Sequence, residues 1–241
     1  NDKTLKMEDI LGKVRRELKD ASDEKTRQTG LRFFKEEVNL YGIRSKSVSE
    51  IARTNYALIR KAGKDQILLL CDSLWKSGMM EESFVACSWS EKMTSSFDPA
   101  DFAILEKWVH NYVSNWASCD TLCNHTVGDF IQKYPELIGK LRKWAKSENR
   151  WVKRASAVSL IIPARRGKFL DDIFEIAGIL LTDQDDMVQK GYGWMLKEAS
   201  KPYRKEVFYF VMRHKTVMPR TALRYAIEKM PPDMRARAME K

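Results

Sequence analysis

Val152-Lys153-Arg154-Ala155-Ser156-Ala157 and Val188-Gln189-Lys190-Gly191-Tyr192-Gly193 lie 36 residues apart, and Arg220-Thr221-Ala222-Leu223-Arg224-Tyr225-Ala226 echoes them about 31 residues later. Each stretch sets cations at the start of a helix and small residues just inside it. A small residue there lets a neighbouring helix approach closely. Repetition at this period means that one supersecondary unit is stacked on the next.

Outside these stretches the helical period continues. Ile10, Leu11, Val14 and Leu18 form one apolar stripe, Val48, Ile51, Ala52, Tyr56 and Ile59 a second, and Ile104, Leu105, Trp108, Val109 and Tyr112 a third. Gly42, Gly63, Gly78, Pro99, Pro135, Asn149, Gly167, residues 183–186, Pro202, Pro219 and Pro231 punctuate them. About fourteen helices of about 12–16 residues are predicted, near ordinary helix length. No alternating stretch of strand length stands beside them, and only 11 Gly and 7 Pro argue against an all-β fold. Periods of about 30–45 residues with two helices each mark HEAT-like α-solenoids. The expected fold is therefore all-α, a right-handed superhelical stack of HEAT-like helical pairs with a basic concave groove, forming one domain over residues 1–241. Three unrelated amphipathic helices are the alternative source of the repeat.

The apolar runs at residues 67–71 and 158–164 are far too short to span a bilayer, so no membrane association is expected. Residues 1–12 carry Asp2, Lys3, Lys6, Glu8 and Asp9, which leaves no signal-peptide core in that stretch. Cys71, Cys87, Cys119 and Cys123 show no CxxC spacing, and a reduced, cytoplasmic protein is expected. His110, His125 and His214 offer neither a triad nor an HExxH spacing; no metal site and no cofactor are expected. There is no Gly-rich phosphate loop and no GxSxG elbow.

The formal charge of +10 is unevenly spread. Residues 140–168 hold ten basic side chains against one acidic, and residues 169–186 hold six acidic and no basic ones. Residues 187–241 hold 13 basic and 5 acidic. A field so concentrated favours a polyanion as partner. An ordinary solvated helix face is the plainer reading, although such faces usually mix signs.

Residues 115–129, Asn-Trp-Ala-Ser-Cys-Asp-Thr-Leu-Cys-Asn-His-Thr-Val-Gly-Asp, lack an apolar stripe. Their polar side chains compete with helical hydrogen bonds and are costly to bury unpaired. Trp116 and Asp120 are four apart, so on a helix they share a face one turn apart. A carboxylate beside an indole is suited to handling a cation. A solvent-facing Asp and a core Trp would look the same in sequence. Seven tryptophans are present, and core packing is the default for most. Trp194 stands out because it follows Gly193 and lies four residues after Lys190; Trp151 lies three before Arg154.

Several stretches together resemble the AlkD-like DNA alkylation-repair glycosylases, HEAT-like proteins that remove alkylated bases from DNA. They are Arg32-Phe33-Phe34-Lys35 with Tyr41-Gly42-Ile43; Asn115 to Asp120; Gly128-Asp129-Phe130 with Tyr134-Pro135-Glu136-Leu137-Ile138; Trp144 with Trp151-Val152-Lys153-Arg154-Ala155; and Val188 to Glu198. The resemblance spans residues 27–230. It implies a catalytic role for Asp120, groove tryptophans at Trp116 and Trp194, and a groove arginine at Arg154. A family tyrosine falls on Phe33, which keeps the ring and loses the hydroxyl. Lys153, Lys190, Arg165, Arg166 and Arg220 are candidate cations for DNA, and Phe33, Ser45 and Trp151 candidate contacts beside them.

The implied activity is that of a monofunctional glycosylase for positively charged N3- or N7-alkylated purines, acting as a monomer on double-stranded DNA. Such a base leaves neutral without a general acid. What needs help is the oxocarbenium-like sugar and the attacking water, which a carboxylate can serve; indole faces attract the spread positive charge. Arg154 or Lys190 beside Asp120 would help keep it ionised. In this family the lesion is read largely through the backbone rather than in a flipped-base pocket. A non-catalytic solenoid that binds nucleic acid needs the cations but not Asp120, and a protein-binding scaffold needs neither.

Overall fold

Isolated helices of this length are marginal in water, so each must bury one face against a neighbour. In a computed structural model, which describes residues 7–240, most helices do this, while α2 (Glu24–Leu31) has no buried residue. Asp2, Lys3 and Lys6, which bear on the signal-peptide reading, lie outside the described residues. Among the described residues there is no strand, only an isolated parallel bridge between Asn39 and Met79. None of their helices is long and apolar enough to cross a membrane. The fold is all-α. The chain divides into two units, one ending at Thr121 and the other beginning at Leu122.

The first unit contains α1 (Met7–Asp20), α2 (Glu24–Leu31), α3 (Ser45–Ile59), α4 (Lys64–Lys76), α5 (Met80–Lys92), α6 (Phe102–Asn111) and α7 (Trp116–Leu122). The stripes read from sequence point inward: Ile10, Val14 and Leu18 of α1, Val48, Ala52 and Ile59 of α3, and Leu105, Trp108 and Val109 of α6 are buried. α4 packs on α5, and α3 packs on both α1 and α5. The buried Trp89 indole on α5 donates to the Ala52 carbonyl on α3 at 2.9 Å, which satisfies its one donor.

The second unit takes the last residue of α7, Leu122, and runs on into a π-helical turn, Cys123–Val127. It continues through α8 (Gly128–Lys133), α9 (Ile138–Ala145), α10 (Arg150–Val158), α11 (Ile161–Arg165), α12 (Leu170–Leu180), α13 (Asp186–Ala199), α14 (Arg204–His214), α15 (Arg220–Ile227) and α16 (Pro232–Met239). The three echoed stretches open α10, α13 and α15, and α13 lies between the other two. α9 pairs with α10 and α12 with α13, while α9 and α12 also touch, so the pairs stack in two rows. The caps repeat as well. Asn149 accepts from the Trp151 and Val152 amides at the start of α10, and Asp185, 36 residues on, accepts from those of Met187 and Val188 at the start of α13.

The small residues permit this stacking. A Cβ at Gly193 would stand 2.7 Å from the Tyr225 Cβ and 2.9 Å from the Ala222 carbonyl oxygen, both on α15. Only a bare backbone fits between α13 and α15.

Two departures from the sequence reading have local causes. Several helices fall below the expected length. α10 stops at Val158, and α11 spans only Ile161–Arg165. Pro163 cannot donate to the Ser159 carbonyl, and the Ser159 hydroxyl bonds back to the Ala155 carbonyl at 2.7 Å. Residues 115–129 are also not one uniform helix. The π turn interrupts them, and beyond it Gly128 meets Ser159, whose carbonyl oxygen would lie 2.9 Å from a Cβ at 128.

Candidate functional site

α7 begins at Trp116 because the Asn115 side chain caps it. Asn115 Oδ1 accepts from the Ser118 amide at 2.8 Å, and its Nδ2 donates to the Ser118 hydroxyl at 3.2 Å. Asn115 and Ser118, two of the polar side chains that looked costly in sequence, are thus paired at the helix start. Trp116 and Asp120 share one face of α7, one turn apart, and both are half-buried. The Trp116 indole is held from both ends: Nε1 donates to the Phe33 carbonyl at 3.3 Å, and the ring stacks on Phe34, with centroids 5.3 Å apart and planes 21° from parallel. Such a stack contributes about 0.5–1.5 kcal/mol beyond area burial. Phe33 itself is 69% exposed. It offers Trp116 its backbone and solvent its ring, while the packing aromatic is Phe34, to which the sequence reading assigned no role. Ser45 is the exposed first residue of α3.

In the second unit Arg154 is buried at 6% exposure, and its Nη1 donates to the Met187 carbonyl at 2.7 Å in the first turn of α13. Its side chain lies over Gly191, where a Cβ would come within 3.3 Å of Cγ. Lys190 and Trp194 follow on the same face of α13, and both are half-buried. Lys190 pairs with Asp186 one turn back at 3.3 Å. Trp151 takes the position of a packing residue: it is 7% exposed and the Arg150 guanidinium lies 4.7 Å from its ring.

The concentrated positive field read from residues 140–168 needs correction. The acidic block 169–186 folds against it. Lys153 pairs with Asp183 at 2.6 Å, Arg150 with Asp185 at 2.6 Å, and Arg142 with Asp172 and Glu175. Arg165 pairs with the buried Glu198 at 2.7 Å. Arg166 and Lys168 reach Gln132, and Lys143, Lys146 and Arg220 are exposed. Counting charges along the chain missed this compensation, because the partners lie roughly 30 residues apart, Asp172 on α12 and Asp183 in the turn before α13.

A family model described as DNA alkylation repair enzyme matches residues 14–230. The chain belongs to the DNA alkylation repair enzyme family. A solved structure from Enterococcus faecalis, described as a predicted DNA alkylation repair enzyme, shares its fold with a TM-score of 0.79 at 15% identity, covering 88% of this chain and 97% of that one. No curated protein matches the sequence. For a member of a DNA alkylation repair family, a half-buried indole one turn from a carboxylate is a fitting surface for a cationic group. Among the described residues no group of three or more His, Cys, Asp or Glu side chains is arranged to hold a metal ion.

Proposed function

We propose that this DNA repair protein is a monofunctional glycosylase that hydrolyses the N-glycosidic bond of positively charged N3- or N7-alkylated purines in double-stranded DNA. The observation that carries the reading is the Trp116 indole, fixed by the Phe33 carbonyl and the Phe34 ring, one helical turn from Asp120. In the proposed reaction the C1′–N bond breaks with its electron pair going to the base, which leaves neutral. Water adds to C1′, and its proton passes to the Asp120 carboxylate or to solvent. Asp120 opposes the positive charge on the sugar, and Trp116 and Trp194 attract the same charge by their faces. Arg154 and Lys190 serve the DNA backbone. In this reading the protein works as a monomer in the cytoplasm, with Phe33, Ser45, Arg165, Arg166 and Arg220 along the DNA. Release of 7-methylguanine from methylated duplex DNA by the purified protein tests the proposal; no release above the spontaneous rate contradicts it.

A further inference from the structure

Two carboxylates in the first unit are buried without belonging to the site: Glu81 at 4% exposure and Glu82 at 1%, both in the first turn of α5. A buried charge persists only if hydrogen bonds replace its water. Here all but one come from a single loop, residues 41–43, and the remaining one from Arg15 of α1. Glu81 Oε2 accepts from the Tyr41 amide at 3.0 Å, and its Oε1 accepts from Gly42 at 2.8 Å and Ile43 at 3.3 Å. Gly42 makes this convergence possible with a φ of 86°; a Cβ there would lie 2.5 Å from the Arg27 Cβ. Glu82 Oε1 accepts from the Tyr41 hydroxyl at 2.8 Å, and its Oε2 accepts from Arg15 Nε at 3.1 Å. The Met80 amide adds a bond to the Asn39 carbonyl at 3.0 Å. The loop so tied is the one whose start carries Phe33 and Phe34. The next residue of α5, Ser83, lies hydroxyl to hydroxyl with Ser118 of α7 at 2.8 Å, beside the cap that starts the helix of Trp116 and Asp120.

We infer that Glu81, Glu82 and Ser83 are positioning residues that hold the Phe33–Phe34 segment and α7 in register, so that Trp116 is fixed relative to Asp120. The inference rests on the glycosylase reading for its catalytic consequence, but not for its geometry. The three act through the loop and the helix. Because one run of three residues grips both, loosening it shifts the indole without altering the cations that serve DNA.

The test is Glu81→Gln. An amide has one acceptor oxygen, so its NH2 group must confront at least one of the three backbone donors. The protein is labelled with 5-fluorotryptophan, and the Trp116 signal in the 19F spectrum is assigned with Trp116→Phe. The Glu81→Gln signal of Trp116 should shift or broaden while the other tryptophans hold theirs. Single-turnover release of 7-methylguanine should fall about tenfold to a hundredfold, as expected for misplacement by about an ångström, with the duplex Kd changed less than twofold. Ser83→Ala, which removes only the Ser118 contact, should move the same signal and serves if Glu81→Gln does not fold. An unmoved Trp116 signal in the folded variants overturns the inference, as does a loss of excision that merely tracks loss of DNA binding. If the wild-type protein releases no 7-methylguanine, the glycosylase reading fails, and the 19F comparison alone decides the positioning role.

Discussion

Arg154 and Gly191 are in contact: the arginine side chain crosses the bare glycine backbone, where a Cβ would lie 3.3 Å from its Cγ and 3.6 Å from its Nη1. Two glycines of α13 therefore have different sensitivities. At Gly193 a methyl group meets the α15 backbone at 2.9 Å, which cannot yield cheaply. Gly193→Ala should lose about 1–3 kcal/mol, despite the roughly 1 kcal/mol gained in helix propensity. At Gly191 the neighbour is a side chain, and the same gain in propensity should leave stability within about 1 kcal/mol of the wild type. Urea denaturation of the two variants checks this; equal losses would contradict the close approach of α13 and α15.

The pairing of Glu198 with Arg165 and Lys201 predicts an acid-sensitive second unit. Burial works to raise the Glu198 carboxyl, and the hydrogen bonds from Arg165 and Lys201 outweigh it, holding the group below its ordinary value of 4.5. A carboxyl depressed in the folded state contributes stability above its unfolded value, and that contribution is lost as pH falls through the folded one. Glu198→Gln should therefore be less stable than wild type at pH 7 by about 1–2 kcal/mol, the half-exposed arginine limiting the effect. The difference should shrink as pH falls below 4.5. Thermal unfolding of both proteins across pH 3–7 measures it; a gap independent of pH would show that the charge on Glu198 plays no part.

The ion pairs along α9, α10 and α13 predict which cations answer to salt. If about six phosphates are contacted, affinity for duplex DNA should fall about 10³-fold between 50 and 200 mM salt. The exposed Lys143 and Lys146 have room to engage phosphate, so Lys143→Ala with Lys146→Ala should lower the salt slope by up to about two units. Arg142→Ala with Lys153→Ala should lower it by less, because Asp172 and Asp183 already neutralise these cations. A salt-independent affinity would contradict nucleic-acid binding itself.

The second unit was the more legible in sequence. Its period of 36 residues appears in the cations, in the small residues at 191 and 193, and in the Asn149 and Asp185 caps, all short-range signals that stacking then reuses. The shared face of Trp116 and Asp120 follows from a spacing of four on any helix. What pattern did not reveal depends on tertiary neighbours. Phe33 and Phe34 are adjacent aromatics, and the turn after α2 decides which one stacks on Trp116. Glu81 looks like an ordinary helix-start acid; its three backbone donors lie about 40 residues earlier and converge only because Gly42 adopts a positive φ.

The central claim is that Asp120 carries the chemistry, and Asp120→Asn tests it most directly. The neutral amide keeps the shape and removes the charge that opposes the oxocarbenium ion. Single-turnover release of 7-methylguanine should fall by about 10²–10³ or more, the usual cost of removing one preorganised electrostatic stabiliser. The Kd for an abasic-analogue duplex should stay the same or tighten, since an anion near the phosphates is gone. Excision by the Asn variant at the wild-type rate would contradict the mechanism, and joint loss of binding and excision would make Asp120 a structural residue.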